Sequence, residues 1–168
     1  MALNSAELLV KFTANQTGSN DLGNPIFVPE LKALLQFTGG TTADAADIVF
    51  TDTRTVASAT NDDIDLAGVL TNAFGATITA AEIVGIMIKS ARANTTVLSV
   101  GGGTNPWITM WIATGDGIKV MPGGVFANFA PDASGLGAVT AGTGDILRIA
   151  NASGAAATYD IVILARSA

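Results

Sequence analysis

The chain contains no histidine and no cysteine. That removes the commonest general base, the usual zinc ligands and the thiol nucleophile, and it rules out a disulfide framework. Charge is scarce as well. Charged residues make up 13% of the 168 residues, against a usual share of about 25%. Few charges leave little with which to solvate a free surface, so a homo-oligomer with much of its surface covered by partners is expected. A monomer whose surface is Thr, Asn and Ser is the alternative. The charge present is acidic, net −6, and the eight basic residues are scattered from Lys11 to Arg166. Without a basic cluster, no nucleic-acid partner is expected.

No uninterrupted hydrophobic run is long enough for a membrane helix. The longest uncharged stretch, Ala93 to Gly115, contains Asn94, Gly101, Gly102, Gly103, Asn105 and Pro106, so no membrane partner is expected. The opening residues Met1-Ala2-Leu3-Asn4-Ser5 lack a basic region leading into an apolar core, and synthesis in a cytoplasm is expected. Nucleotide and hydrolase signatures are missing too: Gly101-Gly102-Gly103 runs into Pro106 and no helix pattern follows. Glu occurs only at positions 7, 30 and 82. A glycosidase would need two carboxylates facing across a cleft. Neither catalysis nor a cofactor is expected.

What the chain does contain is apolar residues at the period of strands. Leu8, Val10 and Phe12 alternate with Glu7, Lys11 and Thr13 over Glu7–Ala14. Asn15 to Pro25 is turn-rich, either a flexible linker or an arm ordered by lying on a neighbour, and the apolar Ile26-Phe27-Val28 follows at once. Residues 1–30 are read as an N-terminal strand and extended arm, with Leu8, Val10, Phe12, Ile26, Phe27 and Val28 as candidate intersubunit contacts. Pro29 to Phe37 fits a short helix or a strand placing Leu31, Ala33, Leu35 and Phe37 on one face. The strand is preferred, with a hairpin-like connection through Gly39-Gly40-Thr41-Thr42 into Asp47–Val56.

Asn61-Asp62-Asp63-Ile64-Asp65 concentrates three carboxylates. It is either a solvated turn, the preferred reading, or a cation site lacking the spacing of an EF-hand loop. Thr79-Ala80-Ala81-Glu82 matches a capping box. The β-branched Ile83, Val84, Ile86 and Ile88 that follow limit any helix to one turn, after which a strand should run through Lys89. Val84, Ile86 and Ile88 are expected to face the core, opposite Ile83 and Met87. Trp107 to Ala113 reads as a strand with Trp107 and Trp111 on one face: a carbohydrate platform, a subunit hot spot or core filling. Further strands are expected at Thr96–Val100, Ile118–Met121, Val125–Ala130, Asp145–Ala150 and Thr158–Ala165, with Thr114-Gly115-Asp116-Gly117 as a hairpin turn in which Asp-Gly is favoured. Short strands with Gly-rich turns at this spacing indicate an all-β fold, an antiparallel β-sandwich of jelly-roll type forming a single domain over residues 1–168.

The segment DLAGVLTNAFGATIT, with MPGG at 121–124, APDASG at 130–135, VTAGTGDILRIANASG at 139–154 and TYDIVIL at 158–164, resembles small virion structural proteins of tailed bacteriophages. SNDLG and FTDTRTVAS near the start are similar as well, so the resemblance covers most of the chain. It implies a capsid decoration or cement protein. Such a protein would be a β-sandwich bound to the major capsid protein on the outer capsid surface of the virion, most often as a trimer. A tail-fibre or spike module binding host glycans through Trp107, Trp111 and Asn105 is the alternative.

Overall fold

The apolar residues spaced two apart do become strands. A computed structural model describes residues 3–152 and 154–168, and no helix occurs among them; Met1, Ala2 and Ser153 of the expected domain lie outside the described residues. In chain order the strands are β1 (Ser5–Thr13), β2 (Gln16–Thr17), β3 (Ile26–Phe27), β4 (Glu30–Gly39), β5 (Ala45–Ala46), β6 (Ile48–Val56) and β7 (Thr60–Asp65). They continue with β8 (Glu82–Ser90), β9 (Leu98–Gly101), β10 (Gly117–Val120), β11 (Val125–Phe129), β12 (Gly137–Ala138), β13 (Ile146–Asn151) and β14 (Ala157–Arg166).

One sheet has the order β10-β9-β13-β7 and the other β11-β8-β14-β6, with β12 beside β8. Every pairing within these two sheets is antiparallel. Their inner faces carry the main core. Ile86 and Ile88 of β8 and Tyr159, Ile161 and Ile163 of β14 pack with Ile64, Leu98, Val100, Leu147 and Ile149 from the other sheet. Each such aliphatic side chain stabilises the fold by about 1.5–3 kcal/mol when fully buried. The protein is an all-β antiparallel sandwich, as expected.

Besides the segment 107–113, the chain leaves the expected course at four places. First, β4 does not form a hairpin with β6. It pairs antiparallel with β1 along nine residues and parallel with β5 at Thr38 and Gly39, while β6 pairs with β14. Second, the capping box at Thr79 starts no helix. The Ala80 amide donates to the Leu66 carbonyl and the Ala81 amide to Arg166, so sheet pairing takes the donors a helix would need capped. Third, the faces of β8 shift at a bulge. Leu164 opposes Gly85 and Ala165 opposes Ile83, which leaves Val84 unpaired. Ile83 therefore joins the main core, and Val84 joins a second cluster on the outer face with Phe37, Ala46 and Leu164. Fourth, the acidic stretch Asn61–Asp65 is strand β7, paired with β13, and not a turn.

Gly85 explains how that outer cluster closes. A Cβ there would lie 2.0 Å from the Phe129 ring, so only glycine lets the ring lie flat on β8. Phe129 in turn meets Phe37 with ring centroids 6.4 Å apart.

Arg166 ties the end of β14 to three other segments. Its guanidinium is fully buried and pairs with Glu82, which is why that glutamate opens β8 and caps no helix. It also donates to the carbonyls of Ala45 at 2.9 Å, Ala133 at 3.2 Å and Asp132 at 2.9 Å. Removing one partner of a buried, fully hydrogen-bonded pair typically costs about 3–5 kcal/mol. Arg166→Ala should therefore lower unfolding stability by about that much in a urea titration. A loss below about 1 kcal/mol would show that the network is dispensable.

Candidate functional site

The feature that the sandwich does not explain is the ribbon of β1 and β4. Its register is constant: Ser5 opposes Thr38, Thr13 opposes Glu30, Gln16 opposes Phe27, Thr17 opposes Ile26, and Asn20 bridges Gly23. Of the expected arm, residues 4–20 are thus the outgoing half of a two-stranded ribbon, and residues 23–30 already belong to the half that returns through Gly39. At about 3.3 Å per residue, the rise from Asn4 to Asn20 is on the order of 50 Å.

Because strand side chains alternate, Ala6, Leu8, Val10 and Phe12 share a face with Leu31, Ala33, Leu35 and Phe37. At the base this face is used: Phe37 is buried against Val84 and Leu164, with Ala6 and Leu35 packed beside it. Farther out the same stripe is bare. Phe12 is 58% and Leu31 70% exposed, and Val10 is more than half exposed. Leu9 and Leu34 on the opposite face, and Ile26, Phe27 and Val28 beyond, are exposed as well. Leu8 is partly covered. The ion pair between Lys11 and Glu30 at 3.0 Å is about half exposed on both sides, and such pairs are worth little.

The carboxylates of β7 separate into different duties. Asp62 points between the sheets, where Arg54 of β6 grips it with Nε–Oδ2 2.6 Å and Nη2–Oδ1 2.7 Å. The Tyr159 hydroxyl donates to the same carboxylate at 2.7 Å. Burial alone would raise the Asp62 pKa, but the hydrogen bonds from Arg54 and Tyr159 and the Arg54 charge together hold it below the ordinary value. Burial first, then the neighbouring carboxylate, pushes the Tyr159 phenol well up. Asp63 pairs with Arg148 on the other face of the strand at 2.6 Å, and Asp65 accepts from the Ala67 amide at 2.9 Å. No group of three or more candidate metal ligands converges among the described residues.

The tryptophans do not form a shared exposed face. Residues 107–113 are a series of turns, because Pro106 bridges to Ile146 and the Trp107 amide donates to the Ile146 carbonyl at 2.8 Å. Trp107 is drawn into the main core, its Nε1 donating to the Ala138 carbonyl at 3.0 Å. Trp111 is half-buried and stacks on Phe126 at 6.5 Å. Asn105 uses its amide internally, donating to the Gly142 carbonyl at 2.8 Å.

A groove of about 950 Å³ lies at one end of the sandwich, between the start of β6, the excursion 66–81 and the base of the ribbon. Ile48, Val49, Thr51, Phe74 and Ile78 line it, and Asp47 is its sole carboxylate among the described residues. A second cleft of about 470 Å³ contains Asp52 and Asp62, both held by Arg54. The two carboxylates of the second cleft are thus engaged by one guanidinium. Comparison with known protein families, curated proteins and solved structures found no match.

The ribbon face was legible as strand alternation in the sequence, although its return strand was assigned a different partner. The groove left no signal, since it arises where segments distant in sequence meet. The clasp on Asp62 carries a pH dependence of definite sign. A carboxylate whose folded pKa is depressed stabilises the fold above its unfolded value, about 3.9, and loses that contribution as pH falls through the folded value. The melting temperature of the native chain should exceed that of Asp62→Asn at pH 7, and the gap should close as pH falls through the depressed value of the folded carboxylate. A gap independent of pH would remove the ionic part of the explanation.

Proposed function

We propose that the protein is a non-catalytic virion structural protein that decorates and cements the outer surface of a tailed-phage capsid, stabilising contacts between capsomers. The observation that carries this reading is the distal ribbon. An isolated two-stranded hairpin is marginal in water, and free monomers rarely expose more than a few hundred Å² of contiguous apolar surface. This ribbon exposes two strands of large apolar side chains, and surface of that kind needs a macromolecular partner to cover it. The sequence resemblance supplies the identity of that partner, the major capsid protein and further copies of the chain, with a trimer as the expected oligomer. Repetition over a symmetric shell makes modest individual contacts effectively permanent.

The strand order adds support. A four-stranded sheet ordered β10-β9-β13-β7 and a five-stranded one with the main path β11-β8-β14-β6 are compatible with a jelly roll, an architecture used by viral capsid domains. The glycan-binding alternative has less behind it, because it needs exposed aromatics beside polar groups and Trp107 is buried.

Excision of residues 10–33, joining Leu9 to Leu34 through an Asn-Gly turn, removes the distal ribbon and keeps its anchored base. The shortened chain should melt within a few degrees of the native one and should fail to sediment with phage heads. Retention on heads equal to the native chain would overturn the assigned role of the ribbon. In cryo-electron microscopy of the parent particle, density for the protein is expected on the head lattice. Density confined to the tail would overturn the cement reading.

A further inference from the structure

The ribbon needs a surface to cover it, and the sandwich leaves one sheet edge open beside a groove. Sheet edges invite pairing, and proteins normally blunt them with short strands, charge, proline or bulges. Three of the four edges here are blunted in that way. β7 carries Asp62, Asp63 and Asp65, β10 has four residues with Lys119 among them, and β11 has five residues and follows Pro122 closely. The fourth edge, β6, is nine residues long, has no proline and pairs with β14 without a bulge. Its first half, Ile48–Thr51, carries no charge. Among the described residues no backbone hydrogen bond from a segment other than β14 reaches Ile48–Thr55. This half of the edge borders the groove, with the apolar wall of Phe74 and Ile78 nearby.

β1 is the matching element. It too has a free edge along nine residues, because among the described residues it pairs only with β4. We infer that the free edge of β6 and the adjoining groove receive the ribbon of a second copy of this chain, by strand addition through β1, with Val10 and Phe12 seated toward the groove.

The quantities favour a second copy. Leu9, Val10, Phe12, Ile26, Phe27, Val28, Leu31 and Leu34 are each between 46% and 70% exposed. Counted over both faces they expose on the order of 1,000 Å² when an aromatic side chain offers about 150–250 Å², about half from Val10, Phe12, Phe27 and Leu31 and half from Leu9, Ile26, Val28 and Leu34 on the opposite face, so an inserted ribbon is covered on both faces. A specific interface needs about 800 Å² per partner. Strand addition supplies main-chain hydrogen bonds, and alternate side chains entering the groove supply the choice of partner. Donor and receiver are different surfaces, so the contact is head-to-tail and closes into a ring when the rotation allows it. The ribbon springs from beside its own groove, where Leu3, Asn4 and Ser5 form part of the lining. A chain can therefore donate its ribbon to one neighbour while receiving that of another.

This inference rests on the proposed role of the ribbon as a docking element. It is tested in solution, apart from any particle. Sedimentation velocity of the full chain should show a concentration-dependent oligomer. Phe12→Asp on the ribbon and Thr51→Lys on the edge should each raise its dissociation constant by at least about 30-fold, and Thr51→Val should leave it unchanged. Melting temperatures of the monomeric variants establish that they are folded. Hydrogen exchange of the native chain, which needs no variant, should show Ile48–Thr55 and β1 gaining protection together as concentration rises. A native chain that is monomeric at 100-fold above the working range, an oligomer weakened by Phe12→Asp alone, or β6 amides indifferent to association would each overturn the pairing. Binding of monomeric Thr51→Lys to phage heads would leave the cement reading intact while the pairing fails. An oligomer that forms as described and never sediments with heads would do the reverse.

Discussion

The contact of Phe37 with Val84, Ala46 and Leu164 decides whether the first forty residues belong to the domain at all. A ribbon of two strands has no interior, and water competes well for its hydrogen bonds. Anchoring one end on the outer face of a sheet changes that. The register is then set by residues that are already buried, and a one-residue slip would lift Phe37, Leu35 and Ala6 out of contact together. Order is propagated outward from the base, and the bare distal stripe is held in line with a buried one.

That anchor depends on an irregularity. In a regular strand Val84 would share the inner face with Ile86 and Ile88. The bulge between Ile83 and Gly85 hands Val84 to the outer cluster and gives Ile83 to the main core. The glycine next to it then admits Phe129. A run of adjacent β-branched residues thereby supplies two cores from one strand, and the sandwich becomes a three-layered object where the ribbon base lies.

Much of this was readable from residue order. Period-two alternation placed β4, β6, β11, β13 and β14 to within a residue or two, since a half-buried strand writes its faces directly into the sequence. Three features resisted, each for a physical reason. The capping box at Thr79 is genuine as local chemistry, but the carbonyls of Leu66 and Arg166 and the guanidinium of Arg166 claim its groups from far away. Asn61–Asp65 looked too charged for a strand because its neutralising partners, Arg54 and Arg148, lie on β6 and β13. The alternation at Trp107 and Trp111 mimicked a strand, while the actual path is set by Pro106 and the pull of one indole into the core. Of the candidate contacts, the ribbon residues stayed on the surface and Trp107 did not. Size and hydrophobicity are the same signal for both purposes, so topology has to separate them.

The constant register of the ribbon has one more consequence. Opposed residues from Ser5 and Thr38 to Asn20 and Gly23 follow one unbroken count. Gaining or losing two residues in each strand would change the reach by about 7 Å and keep the apolar stripe on its side. Gaining or losing one would turn the distal stripe over. The arm is thus adjustable in length in discrete steps without any change to the body that carries it, and chains sharing this body can be fitted to neighbours at different spacings.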